Sequence, residues 1–187
     1  DVSDYINTRN AIAAARNVAP LIPITFGINV YAISITSENL ININGHMWQR
    51  FPKNHNPGIR FPQATKLNLN KLYEKEEGDT TIIGWDINAE NKQKIDYSKY
   101  PFDYFNVQIF VQPQETTPAY IFIPDPKQDN FLGKKTTIEA FNVSHSFFAY
   151  TKQPYQKELI NKSKQLSPRG LTLHMKLHRK LINPLIT

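Results

Sequence analysis

Apolar and polar residues alternate with a period of two along much of this chain, and that rhythm narrows the folds open to it. Leu171, Leu173, Met175 and Leu177 alternate with Thr172, His174, Lys176 and His178. Ile24, Phe26, Ile28 and Val30 alternate in the same way with Thr25, Gly27, Asn29 and Tyr31. Successive side chains of a strand point to opposite faces, so each stretch predicts a strand buried on one side. Further strands are expected over Leu40 to Phe51, Lys66 to Glu76, Thr80 to Lys94, Phe105 to Gln112, Ala119 to Ile123 and Thr136 to Tyr150. Turn chemistry separates them: Ser37-Glu38-Asn39, the loop from Pro52 to Gly58, the hairpin signal Glu77-Gly78-Asp79, and Pro124-Asp125-Pro126. Several strands with no interleaved helices indicate an all-β sandwich or barrel rather than a doubly wound nucleotide-binding fold.

The first residues differ. Asn10-Ala11-Ile12-Ala13-Ala14-Ala15-Arg16 holds strong helix formers, so a weakly amphipathic helix is expected over Asp4 to Ala19, with Ser3 or Asp4 as its N-cap. Pro20 and Pro23 would end it. The organisation expected is a helical connector over 1–22 and a β-sandwich over 23–187. At 187 residues one core suffices without a metal or disulfide staple, and there is no cysteine to form one. No apolar run reaches the roughly 18 residues of a membrane span. The chain begins at Asp1 and ends in the apolar stretch Leu181 to Thr187, so it is expected to be a piece of a longer protein cut before a membrane helix or trimmed within a strand.

A search for chemistry is mostly negative. There is no Gly-x-Ser-x-Gly elbow, phosphate-binding glycine loop or dinucleotide fingerprint, so no enzyme is expected. His174 and His178 have chelate spacing on a helix, but on a strand their Cα atoms stand about 13 Å apart, too far for one ion. No metal or cofactor is expected. Glu74, Glu76, Glu77 and Asp79 flank a hairpin tip with Lys71 and Lys75, which predicts a solvated, charge-balanced turn. Asn142-Val143-Ser144 and Asn161-Lys162-Ser163 match a glycosylation sequon that is common by chance. The net charge is +6, and Lys152, Lys157, Lys162, Lys164 and Arg169 fall near Tyr150 and Tyr155. Basic residues among rings can track a nucleic acid. Here the charges are dispersed and Glu158 lies among them, so a solvated loop is expected and no nucleic-acid partner.

Tyr100-Pro101-Phe102-Asp103 opens a strand. Proline fixes a turn there, Phe102 can anchor it and Asp103 can accept donors. This segment resembles the signature turn of the extracellular ligand-binding domain of Cys-loop receptors, the pentameric ligand-gated ion channels, whose bacterial members lack the cysteine pair. Ile24 to Ile33 is similar to the family's first strand, Leu40 to Trp48 to its second, and Leu171 to Lys180 to its last, leading towards Ile182-Asn183-Pro184. The chain departs from the pattern where Tyr104 and Phe105 follow the turn in place of glutamine, and between Phe51 and Lys94, which is shorter. Ile82-Ile83-Gly84-Trp85 and Ile121 to Asp125 look more like bacterial membrane sensors that carry a relative of this domain.

The resemblance implies an immunoglobulin-like β-sandwich with a short N-terminal helix, acting as the extracytoplasmic (periplasmic) small-ligand sensor of a bacterial inner-membrane receptor. It assigns ligand binding to Trp48, Tyr150 and Tyr155, and coupling to Tyr100, Pro101, Phe102 and Asp103. Phe147 and Phe148 are expected in the core. The partners implied are a small-molecule ligand, the membrane through flanking segments with His178, Arg179 and Lys180 near anionic headgroups, and other copies in a full-length homo-oligomer. The alternatives are the ligand domain of a true pentameric channel, or a secreted sandwich that binds carbohydrate or protein.

Overall fold

The structure, a computed structural model, describes residues 2–17, 19–36, 39–94, 98, 104–115, 120–128, 130–150 and 170–180. The elements in chain order are α1 (Val2–Ala15), β1 (Ile22–Ile35), β2 (Leu40–Pro52), β3 (Ala64–Glu77), β4 (Thr80–Lys92), β5 (Tyr104–Val111), β6 (Tyr120–Pro124), β7 (Leu132–Ile138), β8 (Phe141–Tyr150) and β9 (Leu171–Arg179). They form an all-β sandwich with one short N-terminal helix. The first sheet runs β3-β4-β2-β1-β6, with β7 also paired to β1, and the second runs β5-β9-β8.

The period-two residues meet between the sheets. Ile24, Phe26, Ile28 and Val30 of β1, and Ile41, Ile43 and Met47 of β2, are buried from the first sheet. Phe105, Val107 and Ile109 of β5 and Leu171, Leu173, Met175 and Leu177 of β9 are buried from the second. Within β1 the inward set changes from even to odd numbers, because Tyr31 is an extra residue between the pairs Val30↔Gly45 and Ala32↔Asn44. The bulge lets Ile33 and Ile35 face the core opposite Ile43 and Ile41. Without it, one residue of slip would turn both outwards.

The edge of β1 away from β2 is closed in three steps. β6 pairs with its first half in parallel, from Ile22↔Tyr120 to Phe26↔Pro124. β7 pairs with its second half from Val30↔Leu132 to Ile33↔Ile138. Between them a side chain does what a strand would do. The Gln128 amide accepts from the Ile28 N–H at 3.1 Å and donates through Nε2 to the Ile28 carbonyl. Asp125 N donates to Phe26 O at 2.8 Å, and Val30 N donates to Phe131 O at 2.8 Å on either side of it. Along β5 the Gln93 amide acts likewise, donating to Asn106 O and accepting from Gln108 N. The far edge, β3, carries three lysines and three glutamates instead, the usual protection of an exposed edge.

Three expectations change. The stretch from Thr136 to Tyr150 is two strands, not one: Glu139 and Ala140 form a turn that passes the chain from the first sheet to the second. Ala140 takes φ 59°, a conformation that favours glycine, so its sequence gives no turn signal. The helix starts at Val2, which puts Ser3 and Asp4 inside its first turn rather than at the cap. It ends at Ala15, before the prolines, because Asn17 adopts the left-handed conformation (φ 54°) that closes a helix. Phe147 is 54% exposed on the outside of the second sheet, its ring stacked on His174, whereas Phe148 packs against Phe131. The bulge between Val143 and His145 sets which of the two neighbours turns inward.

The ends of β5 and β9 lie together. Tyr104 pairs with His178, and Lys180 N donates to Ala140 O at 2.9 Å. No helix among the described residues is long and apolar enough to cross a membrane.

The closed edge of β1 predicts the behaviour of one variant. Gln128→Ala leaves the N–H and C=O of buried Ile28 without partners, costing about 1–3 kcal/mol where an ordinary hydrogen bond contributes about 1. Equilibrium urea denaturation is expected to show a lower midpoint with an unchanged slope. A midpoint equal to wild type would mean that water replaces the amide.

Candidate functional site

The strand pattern puts Trp48 of β2 on the outer face of the first sheet, between two glycines. Its register partners are Gly27 on β1 and Gly84 on β4. The indole leans across Gly27: a Cβ at position 27 would sit 2.1 Å from Trp48 Cε2. Tyr73 of β3 fills the space over Gly84 in the same manner, with its ring 2.2 Å from where a Cβ would lie. His46 stands between these rings, 5.6 Å from Trp48 and 5.7 Å from Tyr73 by centroids. The two glycines thus make room for an aromatic row on an otherwise polar face. That face is tied laterally by Tyr31 Oη donating to Asp86 at 2.6 Å and Asn88 Nδ2 donating to Asn44 Oδ1 at 2.6 Å.

The segment between β6 and β7 fixes the indole from the side. Trp48 Nε1 donates to Asp125 Oδ2 at 2.9 Å. The other oxygen of that carboxylate accepts from Lys127 N at 3.0 Å, and Gln128 N donates to Asp125 O at 2.9 Å, so the segment turns back on itself. Asn130 Oδ1 accepts from Leu132 N at 3.1 Å and from Ser146 Oγ at 2.9 Å, which links the segment to β8. Trp48, Asn29, Asp125, Lys127, Asn130 and Leu132 line an open pocket of about 430 Å³. A second groove of about 440 Å³ continues past Asn130 and Leu132 along Val143 to Phe147 of β8.

Of the residues expected to bind ligand, Trp48 lines the first pocket. Tyr150 sits at the end of β8 opposite Leu171, on the other sheet, and lines neither cavity. It is 44% exposed, and the covered part of the phenol pushes its pKa up to about 12. Tyr155 and the turn Tyr100, Pro101, Phe102 and Asp103 lie outside the described residues, as does the apolar stretch from Leu181 to Thr187. Asp125, Lys127, Gln128 and Asn130 were not singled out by the sequence. Pro124-Asp125-Pro126 shows only that a strand stops there, and nothing local says that its carboxylate reaches an indole 77 positions away.

His174 and His178 lie on one strand with separate partners. His174 stacks on Phe147 at 5.0 Å and burial lowers its pKa; His178 Nδ1 is 2.9 Å from Ser144 Oγ. Among the described residues no three His, Asp or Glu side chains group as metal ligands. Two of the four hairpin carboxylates pair with lysines, Glu74 with Lys71 at 2.6 Å and Glu76 with Lys53 at 2.8 Å. The pocket at Trp48 offers an aromatic wall with polar groups beside it; among the described residues around it there is no nucleophile with an adjacent base. No protein-family model matches the chain, and no curated protein matches it significantly.

Burial among its neighbours pushes the His46 imidazole below its usual 6.5, and the Asp86 carboxylate opposes that shift. The native state therefore favours neutral His46, while the unfolded chain takes up a proton below 6.5. The stability this contributes is full above 6.5 and is lost as pH falls through the lowered folded value. Thermal melts are expected to fall as pH drops from 6.5 through that lowered value, and less steeply in His46→Gln. Equal slopes in the two proteins would show that His46 carries no such linkage.

Proposed function

We propose that this chain is the extracytoplasmic (periplasmic) ligand-sensing domain of a bacterial membrane receptor, with a small-molecule site at Trp48. The observation that carries this reading is the indole itself. It is held by Gly27 behind it and Asp125 beside it, and it walls an open pocket of about 430 Å³. That volume lies within the usual range for small-molecule sites, about 300–1,000 Å³. A preorganised aromatic wall lowers the ordering cost of binding.

Signal transfer would follow the hydrogen bonds already in place. A ligand against Trp48 bears on Asp125, Gln128 and Asn130, which are bonded to Trp48, to β1 and, through Ser146, to β8. β8 pairs with β9 along its length, and β9 ends where β5 begins. Residues 100–103 precede β5 and residues 181–187 follow β9, so the register Tyr104↔His178 supports a common output end for the turn and the C-terminal strand. A ligand with higher affinity for one arrangement of that path would shift the population of states.

A second reading, surface recognition of carbohydrate or protein by a secreted sandwich, draws support from exposed Tyr104 (61%) and Phe147 (54%) on the outside of the second sheet. The native sequence beyond Thr187 separates the readings. Four apolar spans support a pentameric channel, another number with a cytoplasmic module supports a sensor, and a chain end supports the secreted binder.

The sensor reading predicts that a small-molecule screen by thermal shift yields at least one ligand. It also predicts that Trp48→Ala abolishes that shift and the response of the full-length receptor. A blank screen together with normal signalling by Trp48→Ala would overturn it.

A further inference from the structure

We infer that the ligand of the Trp48 pocket is a small ring-bearing monocarboxylate. The inference rests on the ligand-binding reading above and assigns its chemistry from the hydrogen-bonding capacity that remains unspent in the lining. Both oxygens of Asp125 are engaged, one by the Trp48 indole N–H and one by the Lys127 backbone N–H. The Gln128 amide is held at both ends by Ile28, through its oxygen and one N–H. Asn130 Oδ1 accepts two hydrogen bonds, and the Leu132 N–H fixes which end of that amide is the oxygen. Its Nδ2 donors have no hydrogen-bond partner among the described residues.

The Lys127 ammonium also lines the pocket and has no carboxylate within ion-pair distance among the described residues. What remains is therefore donor-rich: the Lys127 ammonium and the Asn130 amide N–H groups, with the Asn29 amide beside them. The ligand must supply acceptors. A carboxylate does so with a charge-assisted hydrogen bond to Lys127.

The number of charges limits the anion. With the Asp125 carboxylate held by two N–H donors, the Lys127 ammonium is the lining charge without an ion pair among the described residues, and it matches a single negative charge. A phosphate, with its second charge, would call for a second cation, a helix N-terminus or a nest of backbone N–H groups, and the described lining residues supply none of these. A cationic ligand would meet Lys127 as a like charge, while Asp125, the one carboxylate among the described lining residues, already has an acceptor role at each oxygen. The indole and Leu132 supply apolar surface for a ring. The net charge of +6 favours approach of anions in general. A planar aromatic acid and a pyranose acid share this chemistry, and they differ in how the ring meets the indole.

The test uses named probes against the whole chain. Benzoate and glucuronate represent the two ring types; benzyl alcohol and glucose are their uncharged counterparts, and benzylammonium is the cation. Binding is read by saturable change in tryptophan fluorescence and by calorimetry. At least one acid is expected to bind about tenfold more tightly than its uncharged counterpart, the size of one charge contact at a partly exposed site. Lys127→Gln, on an exposed turn, is expected to erase that preference without lowering the melting temperature, and Trp48→Phe to remove the fluorescence response.

Saturable, Trp48-dependent binding of the alcohol, glucose or the ammonium with no preference for acids would overturn this inference and leave the ligand-binding reading standing. So would an acid preference that survives Lys127→Gln. Absence of binding by every probe, with no ligand in the broader thermal-shift screen, would overturn both.

Discussion

The hydrogen bonds between the Gln128 side chain and the backbone of Ile28 close the edge of β1 between β6 and β7. β1 is the strand on which both the core and the site depend. Its inward residues form the centre of the first sheet, and its outward Gly27 seats Trp48. Its second edge is shared by β6 and β7, which are separated by the segment that lines the pocket. A gap in that edge would leave buried backbone groups unpaired, at a cost of the order of 1–3 kcal/mol. One amide side chain closes it, because its carbonyl and NH2 reproduce the acceptor and donor of a peptide group.

The same device recurs on the second sheet. Gln93 spans Asn106 and Gln108, and Gln63 Oε1 accepts from Phe110 N at 3.1 Å. Both stitch β5 to residues that belong to the first sheet or its approaches. Side-chain amides thus join the sheets along one side of the sandwich, while the turn at Glu139 and Ala140 joins them through the chain. The pocket follows from this construction. With Gln128 bonded to Ile28 and Asp125 N to Phe26 O, the Asp125 carboxylate can meet the indole only in one place. The site is then as rigid as the edge that carries it.

The alternation of Leu171 to His178 and of Ile24 to Tyr31 made the all-β sandwich legible, because burial on one face imposes a period of two regardless of which strands become neighbours. Apart from β3 and β4, which the hairpin signal Glu77-Gly78-Asp79 joins, pairing partners were not legible, since the same alternation serves any neighbour. The bulge at Tyr31 and the break at Glu139-Ala140 escaped for a related reason: each is imposed by fitting two sheets together, and neither carries glycine or proline. Phe147 and Phe148 show the limit most directly. Both are large and apolar, and only the bulge near Ser144 decides that Phe147 faces solvent beside His174 while Phe148 meets Phe131.

The site was partly legible. Trp48 was named through the resemblance, and the structure places it on the face of β2 opposite Ile41 and Ile43. Gly27, an outward position without a side chain in a strand, was the local sign that something lies across it. The contributions of Asp125, Lys127, Gln128 and Asn130 depend on parallel pairing across about a hundred residues, and no local pattern encodes that.

Amide hydrogen exchange resolved by residue tests the closure of β1 most directly. Ile28 is expected to exchange as slowly as Val30 and Asp125, its neighbours along the same edge, and to lose that protection selectively in Gln128→Ala. Fast exchange at Ile28 in the wild-type protein, with Val30 and Asp125 protected, would contradict the account.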